Sequence, residues 1–233
     1  MRKTIPLYSA RFFMKYPVLL LSWFFLNLFF SSPLLALSCP SSPSKAVVTA
    51  KFLKANPYLN NRASPRRLAR KSGRRGYHDG KTIGLTESGL SLKVLTSFSV
   101  ETSNLSKQSC VTLQTIQLEY GFRKTSVLID RRYRPDSCEY AAIYHHEAEH
   151  VRIMNRKGLS YYRWLKQQVA NRVRSITPVL TRRPRRVQRY IAARVKKMAA
   201  ILIGQMEKNL SAAHAVIDTS ENYQRTQDLC SNW

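Results

Sequence analysis

The stretch that most constrains this chain is residues 145–150, His-His-Glu-Ala-Glu-His, which contains the pattern His146-Glu147-x-x-His150. On a helix, positions i and i+4 share one face, so the two imidazoles can turn towards a single ion. Glu147, beside the first His, then sits where it can take a proton from a water activated by that ion. The chain has 5 His, and His145, His146 and His150 all fall in this stretch. His145 points about 100° away from its neighbour on a helix, which suits a surface or supporting role. Glu149 occupies a variable position and reads as a solvated helix residue.

Two His and a Glu are an incomplete zinc centre, because catalytic zinc takes three protein ligands and a water. A third His six residues after the motif, with a Gly before it, is excluded: Ile153 and Arg156 hold those places. After His150 there is no acid until Glu207 and no His until His214, so the downstream candidates are Glu207, His214, Asp218, Glu221 and Asp228. The spacing of 207, 214, 218 and 221 puts four of them on one face of a continuing helix. Glu221 and His214 lead as the third ligand, with Glu207 behind. Asp218 reads as a hydrogen-bond partner of a ligand His. In a competing reading, residues 218–221 are a capping box that opens a short final helix, leaving Asp218 and Glu221 structural or sending Glu221 to the metal. Glu101, His78 and Asp79 remain upstream alternatives.

The setting is that of an exported chain. Arg2, Lys3, Arg11 and Lys15 precede an apolar run over 18–30, and small residues around Ala36 and Ser38 follow a Ser-Ser-Pro break. Residues 1–38 therefore read as a signal peptide, with an uncleaved anchor as the alternative. The four cysteines, Cys39, Cys110, Cys138 and Cys230, all lie beyond it. An even count in an exported chain predicts two disulfides, in any of three pairings; one that uses Cys138 would tie down the start of the motif helix. No C-x-x-C spacing supports a cysteine metal site.

The formal charge is +26, from 39 Lys and Arg against 13 acids. Removing the leader takes away four cations and no acid, leaving +22. Such an excess points to polyanionic surroundings, either an anionic envelope polymer or a lipid surface. Nucleic acid has charge alone in its favour, since no recognised module is present. Residues 39–89 read as a basic, flexible segment, richest in Arg over 62–75, with Val47–Leu53 as a short strand or helix.

From residue 90 the pattern is α+β. Strands are predicted over 90–94, 111–120 and 125–129, the last two joined as an antiparallel hairpin by a turn at Gly121. Asp136 or Ser137 caps the motif helix, with Glu139 in its first turn, and Gly158 ends it. Two further helices follow, over 161–176 and from Pro184 past His214. The last carries a stripe of Val195, Met198, Ile201, Leu202, Met206 and Leu210 for the core.

Together, the motif helix after strands and the later helix with His214 and residues 218–223 resemble the zincin metallopeptidases, in particular predicted exported bacterial ones. The resemblance covers residues 90–233 and implies a zincin-like catalytic domain, a Zn²⁺ cofactor, Glu147 as general base and hydrolysis of a protein or peptide substrate. Tyr144, Tyr223 or an Arg could assist the oxyanion. The strand over 125–130 could pair with an extended peptide. The rival expectations are an envelope polyanion-binding protein with a structural or decayed metal site, and a zinc-dependent cell-wall amidase.

Overall fold

The computed structural model describes residues 38–42, 45–72, 82–176 and 178–233. The leader read over 1–38 lies outside them except for Ser38, as do His78 and Asp79. Among the described residues, no helix is long and apolar enough to cross a membrane.

One long strand organises the sheet. β4 (Ser109–Asp130, 22 residues) pairs along its whole length with β3 (Gly84–Thr102), antiparallel. Its other edge carries three short strands end to end. These are β5 (Val179–Thr181), antiparallel, then β1 (Val47–Leu53) and β2 (Tyr58–Ala63), both parallel to it. The sheet is therefore mixed, not the small antiparallel one expected. The segment read as flexible in fact supplies β1 and β2, followed by helix α1 (Pro65–Ser72). Alternation explains β1: Val48 is buried, and Ala50 and Phe52 also pack on the core. β1 and β2 share one register on β4, Val47 opposite Thr115 and Tyr58 opposite Ser126, interrupted by residues 54–57. There the backbone of Ala55 pairs with the side-chain amide of Asn155 instead of a strand, at 2.7 and 3.1 Å.

The hairpin expected at Gly121 does not form; the chain runs straight through, and the turn lies at 103–108, closed by Ser103 N–H to Gln108 C=O at 2.9 Å. Gly121 has φ +137°, and a Cβ there would strike the backbone of Leu53, so this glycine admits a neighbouring strand and turns nothing. Bulges in the β3–β4 ladder, at Ser97/Phe98 and Glu87/Gly89, shift the two-residue rhythm. Each shift keeps one face of β4 inward: Val111 and Leu113, then Ile116, Leu118, Tyr120 and Phe122, then Val127 and Ile129.

That face is covered by α2 (Cys138–Val173) and α3 (Pro184–Ala215). Ser137 caps α2, its hydroxyl accepting from Tyr140 N–H at 3.1 Å. Gly158 does not end this helix, so the helices expected over 138–156 and 161–176 are one of 36 residues. A Cβ at 158 would collide with the Phe52 ring, and the Gly158 carbonyl accepts from the buried Tyr120 hydroxyl at 2.9 Å. Glycine there lets the helix lie close on the sheet. α3 packs on α2 through Ile191, Val195, Ala199, Leu202, Met206 and Leu210, all buried. Ile201, expected in this stripe, is 53% exposed. A short α4 (Ser220–Gln227) closes the chain. The disulfides are Cys39–Cys110 and Cys138–Cys230. Two such bonds suggest an oxidising environment.

Candidate metal centre

His146 and His150 lie one turn apart near the start of α2, with ring centroids 5.0 Å apart and side chains nearly buried. The residue that meets them comes from the chain between α3 and α4. The amides of Ile217 and Asp218 both bond to the His214 carbonyl, at 3.0 and 3.2 Å, which curls the backbone back after α3. Thr219 then caps α4, its hydroxyl accepting from Asn222 N–H at 3.2 Å, while the Asn222 amide donates to the Ile217 carbonyl at 2.7 Å. Cys138–Cys230 fastens the far side of α4 to the first residue of α2. The capping box was read one residue early: Thr219 is the cap, which releases the Asp218 side chain.

Its Oδ1 lies 3.1 Å from His150 Nε2 and 3.3 Å from His146 Nε2. One donor atom from each of His146, His150 and Asp218 lies within 4.8 Å of the others, and the three could hold a metal ion. Ligands about 2.0 Å from a tetrahedral ion stand about 3.3 Å from one another, so the spacing suits one. His146 Nε2 is buried without an aligned hydrogen-bond partner, although the carboxylate is near. A cation among the three would satisfy this orphaned nitrogen. His150 Nδ1 lies 2.9 Å from His214 Nδ1. If Nε2 of His150 binds a metal, its Nδ1–H donates to His214, the usual support for a metal-binding imidazole.

Of the expected third ligands, His214 lies behind His150 and Glu221 lies outside the cluster, while Asp218, expected behind a ligand His, is its third member. Glu221 is exposed in the first turn of α4, Glu207 is exposed on α3, Asp228 accepts from the Gln224 amide at 2.9 Å, and Glu101 is exposed on β3. The shared face predicted for 207, 214, 218 and 221 ends where α3 ends, at Ala215. His145 is exposed, and Glu149 pairs with Arg152 at 2.6 Å on the surface, both as expected.

Glu147 is 5% exposed. Its Oε2 accepts from the Thr86 hydroxyl on β3 at 2.8 Å. Gly84, two residues before, is the reason the carboxylate fits: a Cβ there would stand 2.5 Å from Glu147 Oε1 and 2.7 Å from Ile143 Cγ2. Neither Gly84 nor Thr86 gave any signal in the sequence, since nothing local marks which strand will cross the motif helix. Tyr223, one of three oxyanion candidates, packs its ring 4.9 Å from His146 and donates to Asp218 Oδ1 at 3.0 Å. Tyr144 is exposed on the outer side of α2.

The electrostatics match this packing. Burial would raise the Asp218 carboxyl, but the imidazoles of His146 and His150 and the Tyr223 hydroxyl hold it well below the carboxylate range. Burial works against a charged His150, yet Asp218 and Glu147 raise it. Burial and the charge of His150 lower His214 to about 4, which favours its neutral form. Burial pushes Glu147 up, against the pull of His150 and His146.

The chain matches no protein-family model, no curated protein and no solved structure. The functional reading rests on this geometry.

Proposed function

We propose that the chain is an exported zinc-dependent peptidase, with His146, His150 and Asp218 as metal ligands and Glu147 as general base. The observation that carries the reading is the convergence of two imidazoles and a carboxylate on one point, beside a buried glutamate on the same helix. Two disulfides support export. Zinc bound there supplies a Lewis acid able to bring the pKa of water towards ~7. Glu147 takes the proton of the attacking water and delivers it to the leaving amine as the C–N bond breaks. Thr86 holds that carboxylate in place at 2.8 Å. The Tyr223 hydroxyl, which donates to Asp218 Oδ1 here, would have to turn from that carboxylate to donate to the oxygen that gains charge at the scissile carbonyl. His214 fixes the tautomer and ring plane of His150. An extended peptide would pair with β3, which among the described residues is bonded on one edge only. Residues 125–130 cannot serve, because β3 and β2 occupy both their edges.

The test begins with metal content. The purified chain should carry about one equivalent of zinc, lost in His150→Ala and in Asp218→Ala. Hydrolysis of an unfolded protein should fall by about 10²–10⁴ in Glu147→Gln while zinc is retained. A chain that takes up no zinc under loading conditions, or a Glu147→Gln variant as active as the parent, would end this reading. Activity on the peptide stems of cell wall that is lost in Glu147→Gln, with no activity on protein, would redirect it to an amidase.

A further inference from the structure

The opposite end of the α2–α3 pair carries a different kind of site. Residues 150–206 hold 15 Lys and Arg and not one Asp or Glu. Between the last turns of α2 and the first half of α3 lies a groove of about 460 Å³ with an apolar floor of Ile176, Val195, Met198 and Ile201. Arg172, Arg194 and Lys197 form its rim. A second hollow of about 360 Å³ shares Ser175, Ile176 and Arg194 with it and extends the apolar floor to Val179, Val187 and Tyr190.

Three features make this surface unusual. Ile201 and Tyr190 are 53% and 65% exposed, large apolar side chains left among cations. None of the rim cations is in an ion pair among the described residues, whereas Arg152, nearer the metal centre, is bound to Glu149. α3 also starts against its own dipole: Arg183 sits at the cap without a side-chain hydrogen bond, Arg185 and Arg186 follow, and the first turn has no acid. Anions, not cations, are favoured at that end of a helix. Local conflicts of this kind are expected where a surface serves a partner.

We infer that this groove and the arginines around the start of α3 dock the protein on an anionic phospholipid surface. Phosphate headgroups complement the cations along the groove and at the start of α3. The exposed Ile201 and Tyr190 match the boundary between headgroup and acyl chain, where aromatic and apolar side chains sit among Lys and Arg. An anionic polysaccharide or nucleic acid would account for the cations and leave these apolar residues without a role. The groove lies about 20 residues from His150 along α2, roughly 30 Å, so docking there leaves the metal centre free. The inference does not depend on the peptidase reading.

The full chain should bind phosphatidylcholine vesicles containing phosphatidylglycerol more tightly than vesicles without it. Arg172→Gln, Arg194→Gln and Lys197→Gln combined should weaken that binding about a hundredfold, at about fivefold per cation. Ile201→Ser should weaken it further, with unfolding temperature unchanged. The matched control removes three exposed arginines of α1, with Arg66→Gln, Arg67→Gln and Arg70→Gln. Retained binding there supports the groove. Equal losses from the two triple variants would reduce the effect to net charge and overturn the proposal. So would heparin binding of equal strength combined with an Ile201→Ser variant that loses nothing on vesicles, which would reassign the groove to a polymer.

Discussion

The two ends of the α2–α3 pair treat charge in opposite ways. At one end every ionised group has an answer within 3.3 Å: Asp218 faces His146 and His150, and Tyr223 donates to Asp218. At the other, Arg172, Arg194 and Lys197 stand among like charges with apolar side chains between them. The first arrangement depends on position to fractions of an ångström, because a buried carboxylate without partners is expensive. The second depends on density, because solvated charges act through the summed field and are screened within about 8–10 Å in ordinary salt. Each end is also fastened by its own disulfide. Cys138–Cys230 holds α4 to the start of α2. Cys110 pairs with Leu180 of β5, beside the cationic groove, and is bonded to Cys39.

The largest expected effect separates the ends through those disulfides. Cys138 and Cys230 are 92 residues apart, and loss of a crosslink of that span removes up to about 4–5 kcal/mol of stability by chain entropy. Cys138→Ser with Cys230→Ser should lower the urea midpoint and weaken zinc binding, since α4 and the segment that delivers Asp218 are then no longer crosslinked to the start of α2. Vesicle binding by the folded fraction should be unchanged. Cys39→Ser with Cys110→Ser should lower the midpoint by a similar amount and spare zinc. If both double variants lose zinc equally, the ends are not independently secured and the comparison fails.

What was legible divides along the same line. The motif, the start of its helix, a cap at Asp136 or Ser137 and the number of disulfides followed from local rules of spacing and capping. The two errors about glycine had one cause. Gly121 and Gly158 were read as a turn and a stop, yet both exist because Leu53 and Phe52 press on them, and those contacts come from residues more than 60 positions away. The same distance hid Gly84 and Thr86. Asp218 was visible as a candidate, but as a partner behind a ligand His and not as a member of the cluster itself. Its use depends on α3 ending at Ala215 and on Thr219 acting as the cap, a one-residue choice that spacing alone does not decide. The parallel strands were obscured because the segment holding them is rich in Arg, Asn and Pro, and β1 pairs with a strand 68 residues later.

The next effect in size sharpens the metal end. His214→Ala removes the neighbour of His150 Nδ1 and should weaken zinc binding about 10–100-fold, the usual consequence of losing a partner behind a metal-binding His. Glu221→Ala, which alters an exposed side chain, should leave zinc affinity within about twofold. Competition titration with a chromophoric chelator measures both. The reverse order of effects would restore Glu221 to the site and displace Asp218.

The smallest effect tests whether the two ends communicate. Gly204 lies in α3 between the groove and the metal centre, and a Cβ there would meet nothing within 4 Å. Glycine inside a helix costs about 0.8–1 kcal/mol relative to alanine. Gly204→Ala should therefore raise stability by about that amount in urea unfolding. If α3 is a rod on which two separate sites are mounted, stiffening its middle changes neither zinc affinity nor vesicle binding. A shift in either, beyond about twofold, would mean that α3 bends at this glycine and that occupation of one end alters the other.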